Sequence, residues 1–216
     1  MSHRIGVLLS GRGSNFEALA DSIAAGRIPG GEIALVISNR EGAPGLARAA
    51  ARGIASKAIP SKGLAREGYD RLVVEELQKA GVEIVCLAGF MRLLSPYFVA
   101  AYPQRILNIH PSLLPSFPGL DPHGQALKAG VKLSGATVHF VIPETDAGPI
   151  VMQGAVVVAD DDTAESLAAR VIKIEHRIYP EALRLLASGK VGLEGDVCKT
   201  AGNAATDSTL ISPAVN

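Results

Sequence analysis

The chain has no tryptophan, two cysteines and few aromatic residues, 4% in all. Its charges cancel, with 21 Lys and Arg against 21 Asp and Glu. The basic residues are scattered, whereas a nucleic-acid interface normally needs a basic face or stripe, so no nucleic-acid partner is expected. Cys86 and Cys198 lie far apart and no CxxC spacing occurs, which fits a reducing compartment better than a disulfide framework. A pair between the two stays open on sequence alone. Met1 to Arg4 lead straight into Ile5–Leu9, an apolar run too short for the core of a secretion signal. No apolar stretch approaches the roughly 20 residues that span a bilayer. These absences point to a soluble, cytoplasmic protein with no membrane partner.

What the chain does have is aliphatic bulk: 48% of its 216 residues are apolar, mostly Ala, Val, Leu and Ile. That length fits one domain, expected over residues 1–200, with a small, polar C-terminal tail at 201–216. Short apolar runs alternate with segments of helical period. Strands are expected at Ile5–Leu9, Ile33–Ile37, Lys57–Ile59, Val82–Ala88 and Arg105–Ile109. Helices are expected at Phe16–Ala25, Pro44–Arg52 and about Arg66–Ala80, each stopping at or just before a glycine. Val82–Ala88 is apolar almost throughout, the mark of a strand buried on both faces. The pattern implies an α/β fold: an open, mostly parallel, Rossmann-like sheet with helices on both faces. Ala136–Ile142 and Ile150–Val158 then form two β-rich runs joined by a Gly/Pro loop, which reads as an antiparallel addition to the C-terminal side of the sheet. A long helix follows from about Asp162. Asp162 and Glu165 have capping-box spacing, and Pro180 is expected to kink or restart the helix.

Two places carry chemistry. Ser10-Gly-Arg-Gly-Ser-Asn15 joins the first strand to the first helix, where ligands gather in α/β folds. The N–H groups of a helix start can hold a phosphate there. The loop also reads as a plain tight turn with Ser14 or Asn15 capping the helix. A nicotinamide cofactor is disfavoured, because Phe16 stands where the dinucleotide fingerprint has its third glycine, and Ser38-Asn39-Arg40 ends the second strand without an acidic residue. The second place is the end of the fifth strand, where Asn108 and His110 are two apart and so share a side of the sheet. An imidazole moves protons near neutral pH, and an amide N–H donates to a developing oxyanion. Asp146, in the Gly/Pro loop, is the natural carboxylate partner, although its spacing alone equally suits an ordinary turn. His3, His123, His139 and His176 show no metal-ligand spacing, so no metal is expected. Leu114-Pro115 is the candidate cis bond in a proline-rich stretch.

These stretches together resemble the glycinamide ribonucleotide formyltransferase family of purine biosynthesis. The matching segments are Ser10–Asn15, Leu87–Pro96, Leu107–Pro115, Gly135–Val141, Asp146–Gly148 and Glu175–Pro180, in order over about residues 4 to 190. The resemblance implies a formyltransferase fold and transfer of a formyl group from 10-formyltetrahydrofolate, the cosubstrate, to the amine of glycinamide ribonucleotide. It assigns catalysis to Asn108, His110 and Asp146. It gives the ribonucleotide to Gly13, Ser14, Asn15 and Glu175. The folate falls to Arg66, Met91, Arg92, Leu93, Leu94, Asn108, Val141 and Glu144. Pro143 and Thr145 depart from the family's usual acidic and aliphatic residues, and Pro143 removes a backbone donor beside the expected pterin pocket.

The alternatives are a hydrolase of formyltetrahydrofolate, a formyltransferase for methionyl-tRNA, or a non-catalytic nucleotide-binding module. Resemblance implies an extra domain for the first two, for which this length leaves no room. The third has no use for Asn108 and His110 at one strand end. Monomer and homodimer both remain open.

Overall fold

The apolar runs form strands because successive side chains point to opposite faces of the sheet, and a helical layer covers each face. A computed structural model describes residues 2–201, 210 and 212. In chain order its first half runs β1 (His3–Leu9), α1 (Ser14–Ala24), β2 (Gly31–Ser38), α2 (Pro44–Ala51), β3 (Ser56–Ala58), α3 (Arg66–Lys79), β4 (Ile84–Leu87), α4 (Pro96–Ala101) and β5 (Ile106–His110). The second half adds α5 (Pro122–Ala129), β6 (Leu133–Phe140), β7 (Ile150–Val157), α6 (Ala164–Ala187) and the hairpin β8 (Val191–Glu194) and β9 (Val197–Thr200). Seven strands form one sheet in the order β3-β2-β1-β4-β5-β6-β7. The first five are parallel, and β6 and β7 continue antiparallel, as the sequence pattern implied.

Along β1, Ile5, Val7 and Leu9 pack into one face with Phe16, Leu19, Val171 and Tyr179, while Leu8 joins Tyr69, Val73 and Leu77 on the other. Each such side chain contributes about 1.5–3 kcal/mol when removed from water. The strand order winds outward in both directions from β1 and β4. Their carboxyl ends therefore flank the crevice where α/β sheets bind ligands. Tyr179 fastens α6 over this switch: its hydroxyl lies 3.0 Å from the Leu87 carbonyl on β4 and 3.1 Å from the Leu107 carbonyl on β5.

Most expected elements lie within one or two residues of their observed bounds. β6 starts at Leu133, three residues before the expected strand. The short helices α4 and α5 and the β8–β9 hairpin are too short to show a period, and they appear only in the structure. The Leu114-Pro115 bond is cis. Both cysteines are free, Cys86 buried in the core and Cys198 half-buried in the hairpin. No helix among the described residues is long and apolar enough to cross a membrane. Of the expected tail at 201–216, all but Ala201, Leu210 and Ser212 lies outside the described residues.

The start of α6 corrects one expectation. The capping box is Thr163 with Ser166, each side chain bonded to the other's backbone N–H, rather than Asp162 with Glu165. Asp162 stands one residue outside, accepting from Ser166 Oγ at 2.6 Å and pairing with Arg170. Its two side-chain partners, Arg170 and then Ser166, hold its carboxyl well below the usual range. Pro180 does not restart α6, which continues to Ala187. Val171, Tyr179, Leu183 and Leu186 pack into the same core on both sides of the proline, and this burial outweighs one missing backbone bond. Removing the Thr163 hydroxyl in Thr163→Ala is expected to cost about 1 kcal/mol in urea unfolding. Stability equal to wild type would show that Thr163 does not cap α6.

Candidate active site

Gly13 is the N-cap of α1 in the left-handed conformation, φ 80° and ψ 26°. A Cβ added there would lie 2.9 Å from Gly45 Cα on α2, so backbone angle and packing both call for glycine. No side chain among the described residues caps this helix. Ser14 and Asn15 are its first two residues, which corrects the reading of either as a cap. Helix geometry leaves the first-turn N–H groups without intrahelical partners, the arrangement that receives anions.

Asn15 is buried and donates from Nδ2 to Glu175 Oε2 at 2.6 Å, bridging α1 and α6. Its Oδ1 is buried without a partner among the described residues. Burial pushes the Glu175 carboxyl up, offset in part by the Asn15 bond and then by the charge of His110. Glu175 lies one helical turn before Tyr179, whose hydroxyl reaches the Leu107 carbonyl, so α6 carries it over β5.

The β5 end carries the expected pair. By register, Asn108 sits opposite His139 and His110 opposite Thr137 on the antiparallel neighbour β6, so all four share one face. His110 is buried; its Nε2 lies 3.0 Å from the Phe117 carbonyl, and its Nδ1 faces Asp146 Oδ2 at 3.5 Å. Both ring nitrogens thus face oxygen atoms, one from the 111–121 loop and one from the Asp146 loop. Asp146 has φ 52°, and its Oδ2 accepts from Gly119 N–H at 2.8 Å. The loop can reach back to His110 because Gly148 passes against β6. A Cβ on Gly148 would fall 1.8 Å from the Phe140 carbonyl oxygen.

His139 is the site residue that sequence reasoning missed. Its Nδ1 is 2.9 Å from the Phe140 carbonyl and its Nε2 is 3.1 Å from Asn108 Nδ2. Asp146 Oδ1 lies 3.8 Å from the same Nε2. Burial lowers the His139 pKa, opposed by the Phe140 carbonyl and Asp146 and reinforced by His110. A neutral ring donating from Nδ1 to Phe140 keeps a lone pair on Nε2, which accepts one Asn108 N–H and leaves the other for a ligand. The signal for His139 is its cross-strand register with Asn108, which no local spacing contains.

The residues expected at the folate divide into two groups. Met91 and Leu93 are exposed, 62% and 50%, in a short segment after β4. Arg92 instead stacks on Tyr69, 4.5 Å from the ring centroid, and Leu94 is buried in the cluster with Tyr69 and Phe98. What these two offer a ligand is their backbone. Val141 is half-buried with its N–H bonded to the Ile106 carbonyl, and Pro143 and Glu144 are exposed in the loop beyond it. Arg66 is exposed as the first residue of α3, and no hydrogen bond or ion pair among the described residues ties it to the β5 cluster. Among the described residues no group of three or more His, Cys, Asp or Glu side chains is placed to hold a metal ion.

Comparison with known proteins matches this architecture. The formyl transferase family profile covers residues 3–183. Phosphoribosylglycinamide formyltransferase of Escherichia coli (strain K12) is 44% identical over 186 residues, 86% of this chain and 87% of that protein. The chain belongs to the phosphoribosylglycinamide formyltransferase family. The crystal structure of glycinamide ribonucleotide transformylase 1 from Symbiobacterium toebii superposes with TM-score 0.90 at 49% identity, covering 92% of this chain and 94% of that one. The trifunctional purine biosynthetic protein adenosine-3 of Gallus gallus is 48% identical over 198 residues, 90% of this chain but 20% of that protein. The chain thus spans about a fifth of the length of that relative. A formyltetrahydrofolate deformylase from Pseudomonas syringae pv. tomato str. DC3000 has TM-score 0.87 at 28% identity, covering 93% of this chain and 66% of that one.

Two outcomes test this geometry. A lowered histidine pKa means that the His139 contribution to stability is full above its ordinary 6.5 and is lost as pH falls below it. His139→Gln is therefore expected to flatten the acid-side decline of stability in urea unfolding, and a decline as steep as wild type would contradict the neutral assignment. Gly148→Ala is expected to displace the Asp146 loop and cut turnover at least about tenfold while thermal unfolding still shows a cooperative fold. Full turnover would mean that the loop tolerates the added methyl.

Proposed function

We propose that the chain transfers the formyl group of 10-formyltetrahydrofolate to the amine of glycinamide ribonucleotide. The observation that carries this reading is the convergence on one strand end of Asn108, His110 and Asp146, with the Asn15–Glu175 pair and the open start of α1 beside them. A phosphate suits the first-turn N–H groups of α1 at Gly13, Ser14 and Asn15. Glu175, held by Asn15, is an acceptor for sugar hydroxyls. The exposed apolar Met91 and Leu93, with backbone polar groups between them, suit a flat heteroaromatic ring with polar edges, and Val141 and Glu144 are proposed to line its other side. Arg66 is the cation proposed for the folate's carboxylate tail.

When bound, the folate supplies the formyl carbon and its carbonyl oxygen. Asn108 and His110 then donate hydrogen bonds to that oxygen as it gains negative charge, each well-placed donor contributing about 3 to 4 kcal/mol. For this His110 must turn its Nε2 from the Phe117 carbonyl towards the oxygen. Asp146 keeps His110 oriented and its Nδ1 hydrogen in place, and through a water it relays the attacking amine's proton to the folate nitrogen as the bond from that nitrogen to the formyl carbon breaks. Holding both substrates over the β1–β4 crevice supplies the larger part, about 7 to 11 kcal/mol for well-oriented partners. Cys86 is sealed in the core on β4 and Cys198 lies in the β8–β9 hairpin, so neither serves as a nucleophile and no covalent enzyme intermediate is called for.

The deformylase likeness favours one second reading, hydrolysis of the formyl folate. The decisive experiment mixes the protein with 10-formyltetrahydrofolate, with and without glycinamide ribonucleotide, and follows folate release by absorbance. Release that depends on the ribonucleotide and yields formylated product is expected. Release without it would replace transfer by hydrolysis. His110→Ala and Asp146→Ala are each expected to lower turnover at least about a hundredfold. A folded Asp146→Ala protein with near-normal kcat would remove Asp146 from the set. Replacing Asn15 by alanine is expected to act mainly on the ribonucleotide KM, and an unchanged KM would return Asn15 to a purely structural part.

A further inference from the structure

The segment Met91–Ser95 has no secondary structure of its own, yet it presents two exposed apolar side chains, Met91 and Leu93, just past the end of β4. Its placement depends on two buried side chains at its ends. At the front, Ser10 Oγ accepts the Met91 N–H at 2.8 Å and donates to Asn39 Oδ1 at 2.6 Å. Asn39 in turn reaches Ser61 Oγ at 3.4 Å, and the Ser10 N–H bonds the Gly89 carbonyl at 3.1 Å. The hydroxyl therefore sews the end of β1 to the end of β4 just past the point where the strands part. At the back, Asp70 on α3 accepts the Ser95 N–H through Oδ2 at 2.6 Å. Between these clamps, Arg92 lies over the Tyr69 ring, next to Asp70 in sequence.

Asp70 is an expensive choice for a purely structural bond. Its side chain is fully buried, and Oδ1 has no partner among the described residues. A buried carboxylate with one hydrogen bond left unmade costs stability that an apolar residue would not. Residues that break a packing rule in this way concentrate where a geometry must be held. The Ser95 it grips also caps α4 through Oγ, so the clamp fixes the segment against two helices at once.

We propose that Ser10 and Asp70 are positioning residues that hold Met91–Ser95 in the shape that receives the folate. The inference rests on the folate reading above. Both act through backbone amides and touch no substrate. The loss of either clamp therefore loosens the folate site more than the ribonucleotide site, which is built on α1 and α6.

The test measures both KM values, together with calorimetric binding of 5-formyltetrahydrofolate as a stable folate probe. Ser10→Ala and Asp70→Ala are each expected to raise the folate KM and the probe Kd about tenfold, with the ribonucleotide KM within about twofold of wild type. Asp70→Asn keeps an acceptor of the same size for the Ser95 N–H and is expected to restore folate binding. A structural role alone would lower Tm and leave the two KM values in their wild-type ratio, and that result overturns the proposal. If Asp70→Ala does not fold, Ser10→Ala decides the matter by the same ratio. Wild-type protein that binds the probe but formylates no ribonucleotide would overturn the acceptor assignment and leave the clamps to be judged from Kd. Wild-type protein that does not bind the probe would overturn both.

Discussion

The antiparallel seating of β6 on β5 is the constraint on which the site depends. Parallel strands before it deliver Asn108 and His110 to the carboxyl edge, but a parallel β6 would have brought a different neighbour and a long crossover. The reversed strand sets His139 opposite Asn108 and sends the chain into the 141–149 loop, which folds back across the same face. Asp146 then arrives beside His110 from a position 36 residues away in sequence, as the numbering of the two shows. A one-residue slip of this register would turn His139 to the opposite face, where Val138 and Phe140 fill the core.

Holding so many polar groups in a buried place has a cost that the structure offsets locally. Glu175 and His139 are both pushed towards their neutral forms by burial, and each is opposed by a specific partner, Asn15 for the first and the Phe140 carbonyl for the second. Backbone strain gathers in the same region. Phe117, Asp121 and Asp146, three non-glycine residues with positive φ, all lie on the two loops that enclose His110. The Phe117 carbonyl and Gly119 N–H are the partners of His110 and Asp146 themselves. Such strain, about 1–3 kcal/mol for each residue, persists only where surrounding contacts determine it.

The layers of the fold were legible because burial leaves a local trace. Val82–Ala88 could be read as a two-sided strand, and the glycines after each helix marked its end, since these signals depend on neighbours in sequence. The start of α6 was legible only approximately. Asp162 and Thr163 both suit a cap, and the choice is made by which backbone first turns helical. The hairpin β8–β9 and helices α4 and α5 left too little periodicity, because each of these elements is only four to eight residues long.

For the site, the Gly loop at a strand end, the shared face of Asn108 and His110 and the ordered motifs that identify the family could all be read along the chain. All three follow from spacing along one chain segment. Folding in three dimensions is what brings Asp146 to His110, sets His139 against Asn108 and turns Arg92 to Tyr69 while Met91 and Leu93 stay open. Those pairings join residues whose separation in sequence carries no distance information until strand register and loop closure are settled, and both are set by burial of the whole sheet rather than by any local segment.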